Sequence, residues 1–261
     1  MRHNLKAQYD SGDRLDARIE LHRRCSTNPI PFHRWIFDHM DLDGKRILEV
    51  GCGTCELWLQ NRERIPTNCG ITLVDFSEAM VDCAKDHFGE DDRFTFAQAD
   101  IQALPFEDRS FDVVITNHML YHVPDIHKGL CEVKRVLAPQ GISYATTNDE
   151  KSMQGFYNLL TDFDSAIDVK SESPNLRFNT HNGQAMLEKV FDDVVLMDYE
   201  NPLHITDADL LVNYVLSMKG VTNMTEMIAP RMSQFQAYLE DMIQSDGKIV
   251  LPKRAGMFTN R

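Results

Sequence analysis

RILEVGCGTCELW, residues 46–58, decides how the rest of the chain is read. The β-rich run RILEV (46–50) enters a turn with two glycines spaced G-x-G, Gly51 and Gly53. A helical pattern follows over 54–62, with Leu57 and Trp58 facing inward. A strand, glycine turn and helix in this order let the backbone approach a ligand closely, beside N–H groups left unpaired at the helix start. The turn alone does not choose the ligand. A dinucleotide fingerprint asks for a third glycine where Glu56 stands, closing on a pyrophosphate. A carboxylate there repels phosphate, and Glu49 just before the turn suits a cationic ligand group. The local electrostatics lean away from NAD.

Outward from this unit, strand and helix alternate. GITLVD (70–75) is a second strand, and a helix starts at Ser77 as N-cap, with Met80, Val81 and Ala84 along it. RFTFAQAD (93–100) and SFDVVITN (110–117) are the third and fourth strands. Asp125 caps a helix with the stripe Ile126, Leu130, Val133 and Val136; APQG (138–141) ends it, and ISYATT (142–147) is a fifth strand. This alternation predicts a parallel sheet wound by right-handed crossovers. Upstream, 12–24 reads as a charged helix with Leu15, Ile19 and His22 on one side, and a second helix begins near Pro31 with Trp35, Ile36 and Met40.

After residue 150 the composition shifts, and most of the 13 methionines lie there. Phe156, Leu159, Leu160, Phe163 and Ile167 make one helical stripe; Leu210, Leu211, Tyr214, Val215 and Met218 make another, started by Thr206 and stopped by Gly220. A third helix spans about 226–244, and DVVLMDYE (193–200) and GKIVLP (247–252) read as strands. The methionine and aromatic stripes are core first, although adaptable methionines also suit a lid over a hydrophobic acceptor. The organisation expected is a helical cover at 1–42, a ligand-binding core at 43–150, and the end of the sheet with a helical cap at 151–261.

A net charge of −13 argues against a general nucleic-acid binder or an anionic-membrane binder, and a small molecule is the easier partner. The first 25 residues carry charges throughout and no apolar segment for an export signal. No run approaches the roughly 18 apolar residues of a membrane span. The six cysteines read as reduced thiols of a cytoplasmic protein. Cys52 and Cys55 form C-x-x-C at a helix start, but no second pair supplies a metal site, so no metal is expected.

The chemistry-bearing residues stand at strand ends. Asp75 closes the second strand, where a carboxylate takes both hydroxyls of a ribose. Asp100 closes the third, where it could accept a hydrogen bond from an adenine amino group. Taken together, ILEVGCGTCELW, LVDFSEAMV, ADIQALPFEDRSFDVVITNHMLYHVPD and VLAPQGISYATT resemble, in order, the successive motifs of class I S-adenosylmethionine-dependent methyltransferases. The likeness is greatest to the small-molecule group that includes the quinone-biosynthesis enzymes, and it spans roughly residues 45–150.

The resemblance implies an α/β fold: a Rossmann-like, doubly wound, mostly parallel seven-stranded sheet with an N-terminal helical cover and C-terminal cap insertions. It implies S-adenosylmethionine as cofactor and a small-molecule methyl acceptor, with transfer to O, N or C left open. Glu49, Gly51 and Gly53 would shape the methionine and ribose side of the pocket. Asp75 would hold the ribose hydroxyls, Phe76 would lie against the adenine, Asp100 and Ile101 would read its edge, and Asn117 would lie near the methionine portion. Cys55 departs from the family, which often has glycine there. Tyr9 is similar to a tyrosine that folds over the cofactor in many relatives, and it also reads as a surface tyrosine.

His118 and His122 lie just past the fourth strand, facing the arriving acceptor. Each reads as a general base or as a polar residue of the turn, and His118 is the first candidate for the base. Two other readings remain at this stage: a protein that binds the adenosyl cofactor without transfer, and an NAD-dependent oxidoreductase.

Overall fold

A computed structural model of the chain describes residues 12–167, 176–217 and 224–260. Tyr9 and Gly220 lie outside the described residues. In chain order the elements begin with α1 (Gly12–Cys25), α2 (Phe32–Asp38), β1 (Arg46–Val50), α3 (Glu56–Leu59), β2 (Gly70–Asp75) and α4 (Glu78–Phe88). They continue with β3 (Phe94–Gln98), β4 (Phe111–Asn117), α5 (Ile126–Val136), β5 (Leu137–Asn148), α6 (Gln154–Phe163) and α7 (Gly183–Leu187). The last are β6 (Val195–Glu200), β7 (Leu203–Ile205), α8 (Ala208–Ser217), α9 (Met224–Ile228), α10 (Met232–Asp246), β8 (Ile249–Leu251) and β9 (Arg254–Asn260).

Four consecutive residues of β1, Ile47 to Val50, are buried, as a strand covered on both faces requires. It pairs in parallel with β2 on one side and β4 on the other. The seven-stranded sheet runs β3-β2-β1-β4-β5-β9-β6, with β9 antiparallel to β5. This is the Rossmann-like arrangement, doubly wound and mostly parallel. Strand order reverses between β1 and β4, so a crevice opens beyond their carboxyl ends, the place where open α/β sheets bind ligands.

The pleat of β1 divides the core. Leu48 and Val50 join Val114, Leu130, Phe178 and Phe258 on one face, and Ile47 joins Trp58, Ile71, Phe88 and Tyr144 on the other. The chain forms two compact units. The sheet unit takes the described residues within Ile30–Glu150, Pro174–Tyr199 and Ala255–Arg261. The helical unit takes the described residues within Met1–Pro29, Lys151–Ser173 and Glu200–Arg254. It has its own core, in which Leu21, Phe156, Leu160, Leu211, Phe235 and Leu239 pack around the β7–β8 ribbon residues Leu203, Ile205 and Leu251.

Several local expectations change. Ser77 sits at the N-cap of α4 but makes no side-chain cap bond; Asp75 Oδ1 accepts from the Ser77 N–H instead, at 2.9 Å. The helix expected over 54–62 is the single turn α3, followed by a 3₁₀ turn at Arg62–Arg64. Pro230, which cannot donate to a helix ladder, sits in the 3₁₀ turn Ala229–Arg231 that separates α9 from α10. Residues 138–141 are part of β5, whose first residue Leu137 already pairs with Phe111. The strand β9 is new, and GKIVLP contributes β8 to the small ribbon rather than to the main sheet.

Candidate active site

The carboxyl end of β1 brings an acid and the glycine turn to the crevice. Glu49 is 2% exposed, and Trp58, itself fully buried on α3, donates its indole N–H to Glu49 Oε2 at 2.5 Å. Burial pushes the Glu49 carboxyl up to about 8; the indole bond opposes that shift and the nearby charge of Asp75 adds to it. Glu49 therefore holds a proton at neutral pH unless a positive group arrives.

The turn itself is built on left-handed backbone. Gly51 has φ +74°, and a Cβ on it would lie 2.9 Å from Met119 Cβ, so only glycine fits. Its N–H donates to Val74 O at 2.8 Å, tying the turn to β2. Gly53 has φ +51°, and a Cβ there would meet no protein atom within 4 Å. The Gly53 N–H donates to Asp75 Oδ2 at 3.0 Å. Cys55 is also left-handed, at φ 63°, which is the physical reason for a glycine preference at this position.

Each oxygen of Asp75 thus takes one backbone N–H, from Gly53 and from Ser77, and keeps lone pairs for further donors. Phe76, next along the chain, is 60% exposed, and Gln98 Nε2 donates to its carbonyl at 2.9 Å. Asp100 follows β3 and is oriented by Gln102, whose N–H donates to Oδ1 at 2.9 Å. Ile101 is buried against Gly129 of α5. At the end of β4, Thr146 Oγ1 donates to Asn117 Oδ1 at 2.5 Å. The carboxyl ends of four strands therefore carry Glu49, Asp75, Asp100 and Asn117 along one edge of the sheet.

His118 occupies the left-handed region at φ 51° and donates its N–H to Thr146 O at 3.2 Å. Its ring lies 5.0 Å from that of Phe32, which also touches Trp35 and Tyr199. His122 lies in the 3₁₀ turn Leu120–His122, its ring 4.5 Å from Tyr121. Burial first and the Arg177 charge second lower the His122 pKa, so its imidazole stays neutral at pH 7. Arg177 donates to Pro124 O at 2.9 Å and so holds that turn.

Cys52 and Cys55 are both buried. The Cys55 thiol, and burial after it, raise the Cys52 thiol above its ordinary range. No group of three or more His, Cys, Asp or Glu that could hold a metal occurs among the described residues. No described helix is long and apolar enough to cross a membrane. Trp58 and Thr146 are the site residues that sequence reasoning missed. Trp58 carried a signal, since a buried indole N–H needs an acceptor.

Residues 48–145 match the family described as "Methyltransferase domain". The chain is 33% identical over 165 residues to the ubiquinone/menaquinone biosynthesis C-methyltransferase UbiE of Geobacter sulfurreducens, covering 60% of this chain and 62% of that one. It thus spans less than two thirds of the length of the curated relatives it matches. Among solved structures, the YcgJ protein of Bacillus subtilis superposes with a TM-score of 0.55 at 18% identity, over 87% of this chain and 96% of that one. The [4+2]-cyclase SpnF superposes with a TM-score of 0.53 at 16% identity, over 88% and 79%. These two show the fold alone. The motif order and the sheet topology agree with the match of residues 48–145 to a methyltransferase domain.

Proposed function

We propose that the protein transfers a methyl group from S-adenosylmethionine to a small-molecule acceptor. The observation that carries this reading is Asp75, with each carboxylate oxygen anchored by one backbone N–H and still able to accept from a ribose diol. The open space beside Gly53 and the exposed ring of Phe76 fit the same cofactor. In this reading Asp75 holds the ribose, Phe76 covers the adenine, and Asp100 with Ile101 reads its edge. Glu49, Gly51, Gly53 and Asn117 line the methionine side.

The cofactor supplies an electrophilic methyl carbon on a sulfonium. The chain must align an acceptor lone pair with that carbon and exclude water, so positioning supplies most of the acceleration. The Geobacter relative is named a C-methyltransferase. A carbon acceptor activated by a neighbouring hydroxyl is the class we favour here, and it requires a base. His118 is the candidate, held by its backbone bonds to Thr146 and flanked by Phe32; His122, neutral at pH 7, is the second. The free thiols and the charge of −13 fit a cytoplasmic enzyme of a small molecule rather than of nucleic acid or membrane.

The fold of a [4+2]-cyclase matches as well, so fold does not decide the reaction. A thermal melt with S-adenosylhomocysteine followed by a labelled-methyl assay on metabolite extracts decides it. Stabilisation with transfer is expected. Stabilisation without transfer to any acceptor would make the protein a cofactor binder, and no stabilisation would end the reading. Asp75→Ala is expected to weaken cofactor binding by roughly two orders of magnitude, the loss of two charge-assisted hydrogen bonds. Unchanged affinity would remove the ribose assignment.

A further inference from the structure

A buried hydroxyl stands behind the end of β4. Thr146 of β5 is fully buried and pairs in register with Asn117, the last residue of β4. Glu49 of β1 pairs with Ile115, so Asn117, two residues further on, lies on the Glu49 face of the sheet. Paired residues share a face. Glu49, Asn117 and Thr146 therefore stand on one side of the sheet at its carboxyl end.

The direction of each hydrogen bond of this hydroxyl is determined. His118, held at φ 51°, donates its backbone N–H to Thr146 Oγ1 at 3.1 Å as well as to Thr146 O. A backbone N–H only donates, so the hydroxyl accepts there and keeps its own proton for another partner. That partner is Asn117 Oδ1, at 2.5 Å. Turning the amide to put Nδ2 against Thr146 would strand the hydroxyl proton without an acceptor in a buried place, which is costly. Nδ2 is thus the outward end of the amide. It has no acceptor among the described residues, and Asn260 Nδ2 is the one buried side-chain donor left unpaired among them. Half-buried Asn117 therefore presents Nδ2 to solvent at the end of β4.

A carboxamide nitrogen donates hydrogen bonds and accepts none. On the methionine portion of S-adenosylmethionine the ammonium has no lone pair and the sulfonium is positive, so the carboxylate is the group that accepts. Glu49, an acid on the same face, suits the ammonium. We propose that Thr146 is a positioning residue, whose hydroxyl locks the Asn117 amide so that Nδ2 meets the carboxylate of the cofactor's methionine portion. The inference rests on the cofactor reading and adds to it the group that Asn117 takes and the residue that sets its amide. An amide fixed in advance need not be ordered on binding, so a buried residue that never touches the ligand raises affinity.

The test is calorimetric titration of the full chain with S-adenosylhomocysteine and with 5′-methylthioadenosine, which keeps the adenosine and the sulfur but lacks the amino-acid end. Thr146→Val keeps the shape of the side chain and removes the hydroxyl. It is expected to weaken S-adenosylhomocysteine about fivefold and to leave 5′-methylthioadenosine within about twofold. Thr146→Ser, which keeps the hydroxyl, should bind both ligands like the parent. In an Asn117→Ala background Thr146→Val should cost nothing further, because the residue through which it acts is gone. Thr146→Ala takes the place of valine in both backgrounds if the valine variant does not fold. Unchanged affinity for S-adenosylhomocysteine, equal losses for both ligands, or the same loss with and without Asn117 overturns the proposal and leaves the cofactor reading standing. A parent that binds neither ligand overturns the cofactor reading, and the proposal with it.

Discussion

The sheet unit buries an acid, and the helical unit half-buries two bases. At the centre of the sheet unit is an acid, Glu49, driven up to about 8 by burial. In the helical unit are two bases, His22 driven down to about 3 and Lys253 to about 8. One cause, desolvation of the charged form, acts in both places and moves acids and bases in opposite directions. Each unit also has a separate apolar core. The difference teaches that the two regions can be addressed independently, by core mutation and by pH.

Core mutation gives the largest effect. Leu211 of α8 and Leu48 of β1 are both fully buried, each in its own core. Leu211→Ala and Leu48→Ala are each expected to cost roughly 2–5 kcal/mol. Hydrogen exchange should localise the loss: α1, α8 and α10 lose protection in the first variant, and β1, β2 and β4 in the second. Uniform loss across both units in either variant would mean that the cores unfold as one, and the comparison would break.

Next comes pH. Glu49 has a raised folded pKa, so its contribution is fully present below its ordinary 4.5 and is lost as pH rises through about 8. His22 has a lowered folded pKa, so its contribution is full above 6.5 and is lost as pH falls toward about 3. The Lys253 penalty at neutral pH is relieved as pH rises from about 8 to 10.5. From pH 7.5 to 5, with intrinsic exchange corrected, β1 and α3 should gain protection while α1 and the segment before β9 lose it. The difference is on the order of a few kcal/mol. Glu49→Gln should flatten the first trend and leave the second. A common direction in both units would refute the assignment of these groups.

The same contrast explains what could be read in advance. The run ILEV was legible as a central strand because its continuous apolar character matches a strand buried on both faces. Asp75 and Asp100 were legible because each follows a strand, and strand ends at the switch point face the crevice. RAGMFTN (254–260) was not, because Gly256 and the polar Thr259 and Asn260 interrupt any alternation. Its conformation comes from pairing with β5, and Gly256 is needed because a Cβ would lie 2.7 Å from Leu196. The bond from Trp58 to Glu49 joins residues nine apart across a turn whose path only the fold defines. Lys253 reads as a solvated lysine between Pro252 and Arg254 until Asn201 and α1 are in place.

The smallest effect concerns the turn that opened the reading. Cys55 in the sheet unit and Met153 in the helical unit both hold left-handed backbone directly before a helix, at φ 63° and 65°. Such a conformation costs a residue with a Cβ roughly 1 kcal/mol, which glycine avoids. Cys55 is 1% exposed, so replacing it also forfeits the burial of its thiol, worth about 1 kcal/mol. Cys55→Gly should therefore leave stability within about 1 kcal/mol of the parent, the two terms offsetting. Cys55→Ala loses the thiol and keeps the backbone cost, so it should melt below Cys55→Gly. Met153→Gly and Met153→Ala should rank in the same order, because the backbone term is common to both units. If alanine proves the more stable at position 55 alone, the turn relaxes out of the left-handed region there, and the backbone cost is not common to both units.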